Sequence, residues 1–129
     1  MRIKCHSNSG QSLSKRYLTI GYFSESVFHV ATGTDYTVFG ISVYRGLVLY
    51  LLLDDLNLPN WFPRDLFKIV DARIEADWLC AQYQNEAGLD FLMGYPTLVA
   101  DGTHYDALLE RDPGALEIFR TLASSSANR

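Results

Sequence analysis

Two apolar runs, residues 37–44 and 47–53, stand almost back to back in this chain, separated only by Arg45-Gly46. In the first, branched and aromatic side chains occupy both parities; in the second, every position is apolar. A half-exposed strand would alternate, so the pair predicts a hairpin whose strands are covered on both faces or curl into a barrel. Gly40, within the first run, predicts a sharp bend. Asp54-Asp55 close the second run as a turn signal; left exposed, 47–53 would be an aggregation template. Pro59 and Pro63 bracket Trp61-Phe62 and push Leu58 and Phe62 toward extended backbone. That predicts a rigid crossing, followed by one helical turn over 64–66 and a strand over 67–70.

Weaker signals fill in the rest. Ile3 and Cys5 alternate with charged neighbours, predicting a short first strand over 2–5, and Ser/Asn/Gly-rich 7–12 reads as a loop. Residues 17–23 and 27–30 are β-prone but short and broken, the first an extended loop or edge strand. Strands are expected over 78–83 and 90–93, with the turn between them in 84–88. The period then changes. Thr103 is a candidate N-cap with Asp106 three residues on to bond back to it, and Tyr105, Leu108 and Leu109 mark one apolar face. Asp112-Pro113 is a helix start, a capping carboxylate followed by proline at the first helical position. Leu116, Phe119 and Ala123 form its stripe. The expected architecture is a single α+β domain over 1–129. Its β-rich part, 1–95, is a strongly bent antiparallel β-sheet or small barrel. Two short C-terminal helices occupy 101–124, and 125–129 form a frayed tail.

Composition supports a packed core: 48% of the 129 residues are hydrophobic and 13% aromatic, which excludes a disordered class. The seven-residue run 47–53 falls far short of the roughly 20 apolar residues of a membrane helix. The polar 7–14 stretch after Met1–Cys5 does not read as a leader, so the expected location is cytoplasmic. Charge is unevenly spread beneath the net −4: residues 1–49 carry five basic against two acidic side chains, and 50–129 six against thirteen. An acidic half-chain repels nucleic acid and attracts basic surfaces.

Catalytic chemistry is hard to assemble. A serine, His104 and Asp106 could be named as a triad, but no Gly-x-Ser-x-Gly elbow positions the serine. His104 and Asp106, two apart at a helix start, point in different directions. Cys5-His6 are neighbours on a strand and face opposite sides. Cys5 and Cys80 are expected to be reduced, with Cys80 a small core residue. The three histidines are scattered and no metal-ligand spacing exists. The expectation is a non-enzyme with no cofactor. Trp61, between two prolines, either caps the core or stands out as a binding anchor. Asp106 and Glu110, four apart, share a helix face at a small cost in stability. With Asp54, Asp55, Asp90 and Asp101 they could line an acidic surface, and these seven residues are the candidate partner-binding set.

The run 33–44 with Asp54-Asp55, then Trp61-Phe62-Pro63-x-x-Leu66-Phe67-x-Ile69-Val70-Asp71, resembles small single-domain bacterial immunity-type proteins of polymorphic or contact-dependent toxin systems. Gly94-Tyr95-Pro96, His104-Tyr105-x-x-Leu108 and Asp112-Pro113-x-Ala115 fit the same picture, so the resemblance extends from Thr19 to Phe119. Phe62-Pro63-x-x-Leu66-Phe67 is also similar to the closing strand of SH3-like barrels. The resemblance implies a cytoplasmic inhibitor that binds a cognate, basic toxin domain, for example a nuclease, and touches neither nucleic acid nor membrane. Complementary charge would speed that encounter and set partner choice. It assigns no functional residue by motif.

Overall fold

A computed structural model describes residues 1–127 of the chain, and at positions 85, 86 and 127 the backbone alone. Eight strands lie in two antiparallel sheets. The smaller sheet has β1 (Arg2–Cys5) between β2 (Asp35–Thr37) and β6 (Phe67–Asp71). The larger runs β5 (Pro59–Pro63), β4 (Leu47–Leu53), β3 (Gly40–Tyr44), β8 (Leu89–Gly94), β7 (Leu79–Glu86). The expected bent antiparallel α+β fold is present. The barrel is not, because the two sheets remain separate and open.

The reason lies in the segment 37–44. It is two strands: Thr37 ends β2 in one sheet and Gly40 begins β3 in the other, with Val38-Phe39 crossing between. The larger sheet is thereby a middle layer. Tyr50, Leu52 and Phe62 join Ile3, Tyr36 and Phe67 of the small sheet in one apolar cluster. Leu51 joins Leu98, Leu108 and Phe119 of the helices in another. This double cover is why 47–53 is apolar at every position. Each such leucine taken wholly out of water contributes about 2 kcal/mol.

Gly40 does not bend a barrel. It lies opposite Gly94 in the β3–β8 ladder, and a Cβ at either would come within 2.7 and 2.8 Å of Leu98 Cδ2 respectively. The two glycines let α2 (Pro96–Ala100) lie directly on the sheet. That helix, together with α3 (His104–Leu109) and α4 (Pro113–Ala127), makes three C-terminal helices where two were expected, beginning at 96 rather than 101. Asp112 caps α4 as predicted, its Oδ2 accepting from the Ala115 amide at 3.1 Å. The helix runs past 124 to Ala127. Its last turns pack through Leu122 and Ala123 on the second cluster, which outweighs the poor helix propensity of the three serines. Residues 128 and 129 of the expected tail lie outside the described residues.

In the N-terminal part, 17–23 is not strand-like: α1 (Lys15–Leu18) runs into turns. Tyr17 on α1 is buried and donates to the Val48 carbonyl at 2.7 Å, tying the segment to β4. The turn expected over 84–88 tightens to Ala87-Gly88, with φ of 51° and 90°, matching Arg45-Gly46 at 49° and 78°. Both pairs have the positive φ values that two-residue hairpin turns require. Cys80, expected in the core, is exposed on the edge strand β7, and Cys5 is a buried free thiol. No described helix is long and apolar enough to cross a membrane.

Candidate functional site

On the helical side of the larger sheet a half-open cleft of about 610 Å³ separates the residues after α1 from α3. Its floor is Leu49 and Leu89 of the sheet, with Trp61 from β5 and Tyr44 from the end of β3. Tyr83 of β7 closes one side and Ile20–Tyr22 another. Tyr105 and Leu109 come from α3, and Asp101, Gly102 and Asp106 form the rim. Five aromatic rings from five separate segments therefore face one space.

Local chemistry holds each wall. Tyr22 packs edge-on against Tyr17 with ring centroids 6.3 Å apart, and against Phe28 at 5.8 Å. Tyr105 lies 5.8 Å from Trp61 at an interplanar angle of 47°. The Tyr44 ring lies over Gly88, where a Cβ would meet its Cε2 at 2.7 Å, so only glycine fits beneath it. Asp101 precedes α3 and accepts from the Thr103 amide at 3.0 Å and the Thr103 hydroxyl at 2.8 Å. Those bonds hold its carboxyl below the usual range. Asp101 thus takes the capping partner role expected of Asp106, and Thr103 makes no side-chain cap bond. Asp106 stays exposed on the rim.

The electrostatics of the cleft are one-sided. Burial pushes the Tyr22 hydroxyl up to about 12, with Tyr17, Tyr105 and Tyr44 adding to it. Tyr105 is likewise pushed up to about 12, first by burial and then by Asp106, Tyr44 and Tyr83. Burial is thus the main reason that these phenols resist ionisation, with Asp106 adding to it at Tyr105. Among the described residues the salt bridges are Lys4–Asp35, Arg64–Asp65 and Arg73–Asp71, all elsewhere. Two arginines stand close by without lining the space. Arg45 Cζ lies 5.4 Å from the Tyr44 ring centroid. Arg111, in the turn between α3 and α4, donates to the Pro59 carbonyl and, at 2.6 Å, to Asn60 Oδ1, bracing β5 from behind.

Of the seven candidate residues, the structure brings three to the cleft: Trp61, Asp101 and Asp106. Trp61 is half-buried and packs on both clusters, as a core cap does, while part of it lines the cleft. Its indole nitrogen is buried with no acceptor among the described residues. Glu110 follows α3 as its C-cap, exposed and outside the lining, so the structure does not place it in the cleft with Asp106. Asp90 is half-buried on β8, also outside it.

Asp54 is not a surface residue at all. It is 5% exposed. Its Oδ1 accepts from the Leu56 and Leu58 amides at 2.9 and 3.0 Å, and its Oδ2 from Asn60 Nδ2 at 2.7 Å. It is the internal brace of the β4–β5 turn, because a buried carboxylate has to be fully hydrogen-bonded. Asp55 is exposed but faces the small sheet, accepting from the Tyr36 hydroxyl at 2.8 Å. The tyrosines were missed. Tyr22, Tyr44, Tyr83 and Tyr105 are spread over 84 positions with no common spacing, and only the folded register gathers them.

Compared with protein-family models, with curated proteins and with solved structures, the chain matches none of them.

Proposed function

We propose that this chain is a non-catalytic binding protein that captures and blocks a basic partner at the aromatic cleft, in the manner of a bacterial immunity protein acting on a cognate toxin domain. The observation that carries the reading is the pair Asp101 and Asp106 at the mouth of an aromatic cavity, neither of them in a described salt bridge. Carboxylates so placed raise encounter rates with a basic surface and select against acidic ones. Large rigid aromatics supply contact area at small entropic cost. The net charge of −4 favours the same class of partner. On this reading the protein works in the cytoplasm, where its target would be met.

A second reading has one observation in its favour. A cleft of about 610 Å³ lies within the range of small-molecule sites, roughly 300–1,000 Å³, so a small ligand is the alternative occupant.

The experiment is an affinity capture of the tagged chain from its own organism's lysate, with bound protein identified by mass spectrometry. The captured partner's activity is then assayed with and without the chain. One basic protein at near-equal stoichiometry, silenced on binding, is the expected result. A lysate that contains the neighbouring gene products but yields no specific protein would overturn the toxin-inhibitor reading.

A further inference from the structure

We infer that the cleft is a receptor for a single arginine side chain, presented by the protein partner of the preceding reading, on which this inference rests. Three features of the cavity point to that chemistry. Its lining includes five aromatic rings, Trp61 and Tyr105 among them with centroids 5.8 Å apart, and aromatic faces attract cations. Its mouth carries Asp101 and Asp106, and among the described residues its lining includes no lysine, arginine or histidine. An anionic group entering there would be repelled by the two carboxylates, and a neutral one would gain nothing from them. A cation would pair with both.

Among cations, the guanidinium is the better fit. It is flat, so it stacks on tyrosine and indole faces while its N–H fork reaches a carboxylate edge-on, whereas an ammonium is a compact, strongly hydrated point charge. The protein already shows the contact on one cleft wall: Arg45 stacks on Tyr44 at 5.4 Å. Arg111 does not compete for the space, its guanidinium being engaged by the Pro59 carbonyl and Asn60. Leu49 and Leu89 on the floor would take up the aliphatic stem that follows the headgroup.

The test uses the full chain and three probes of similar shape: n-butylguanidinium, n-butylammonium and n-butylurea, titrated at matched ionic strength. The readout is the indole N–H resonance in ¹H–¹⁵N NMR spectra. The chain has two tryptophans, and a Trp78→Phe variant assigns them. The expected result is a saturable shift of the Trp61 signal with butylguanidinium and no shift at Trp78. Butylammonium should bind more weakly and butylurea about tenfold more weakly than butylguanidinium. The double variant D101N/D106N should lose about tenfold in guanidinium binding; both side chains are exposed and Asn keeps the capping geometry at 101, so the fold is retained. Equal binding of butylurea, or a non-saturable shift, overturns the inference. If the affinity capture yields a basic partner while butylguanidinium fails to saturate, the arginine receptor falls and the inhibitor reading stands. If butylguanidinium saturates but D101N/D106N captures the partner as well as the native chain does, the cleft serves a free cation and the inference is again overturned.

Discussion

The Tyr95 hydroxyl and Nε2 of His104 share a hydrogen bond of 2.6 Å, and both side chains are buried beneath the helices. The two rings meet edge-on with centroids 5.5 Å apart. A neutral imidazole makes this bond in either tautomer, Nε2 accepting when the proton is on Nδ1 and donating when it is on Nε2. Burial lowers the His104 pKa from its ordinary 6.5, with Asp101 opposing weakly. Between the lowered folded value and 6.5 the unfolded chain binds more protons than the folded one, so stability falls as pH falls through that window. It is fully present above about 6.5. The melting temperature should therefore drop between about pH 7.5 and about pH 5.5, whereas His104→Gln, less stable throughout, should show a flatter profile. Carboxylates held low, such as Asp71 beside Arg73, titrate well below this window. A native melting temperature unchanged over the interval would show that His104 accepts its proton without penalty.

Asp54 and Asp55 should behave as unrelated residues. Asp54→Ala removes the acceptor of two backbone amides and the Asn60 amide in a partly buried turn and should cost about 2–3 kcal/mol in urea unfolding. Asp55→Asn keeps an acceptor for the Tyr36 hydroxyl at an exposed site and should cost under about 1 kcal/mol. Equal costs would mean that Asp54 is not the brace of the β4–β5 turn.

Gly94→Ala should be the more damaging of the two sheet-glycine substitutions. A Cβ there would meet the Phe39 carbonyl oxygen at 2.6 Å and Gly40 Cα at 3.0 Å, backbone atoms that cannot step aside. At Gly40 the nearest atoms are side-chain atoms, Leu98 Cδ2 at 2.7 Å and Trp61 Cη2 at 3.2 Å, and the nearest backbone atom, the Met93 carbonyl oxygen, is farther at 3.3 Å. Losses of about 1–3 kcal/mol are expected, ordered Gly94→Ala above Gly40→Ala in urea unfolding. The Gly40 variant should also shift Trp61 fluorescence, because it presses on the indole.

Removal of charge should sort the acidic surface by position. Asp101→Asn and Asp106→Asn should each weaken partner capture by about three- to tenfold and flatten its salt dependence. Asp90→Asn and Glu110→Gln, outside the cleft, should leave capture within about twofold. Equal effects at all four, measured by surface binding at two salt concentrations, would show a diffuse acidic surface in place of a defined cleft.

What the chain disclosed in advance was governed by local rules. The run 47–53 became β4 with unchanged bounds, and Asp112-Pro113 began a helix, because strand burial and helix capping act over a few neighbouring residues. The break at Val38-Phe39 was hidden because a chain that changes sheets keeps its apolar character throughout. Tyr17 lies in a β-prone segment, yet α1 forms there because its hydroxyl is claimed by Val48, 31 residues away. Asp54 and Asp55 are adjacent and chemically alike, and only their registry in the turn sends one inward and leaves the other outside. Asp101 and Asp106, singled out by their charge, lie on the rim of the candidate cleft. The aromatic half depended on a register among β3, β5, β7 and α3 that no local spacing encodes.

The prolines of β5 have a consequence for how the protein behaves when crowded. The outermost strands of the larger sheet are β5 and β7. Of the five residues in β5, Pro59 and Pro63 have no N–H to donate, so a strand from another molecule would find an incomplete ladder along that margin. The β7 margin, Leu79–Glu86, has no proline, and Leu79 near its start is exposed. Sheet extension between molecules is thus directed to the β7 side, on the far side of the sheet from the proline-guarded strand that carries Trp61.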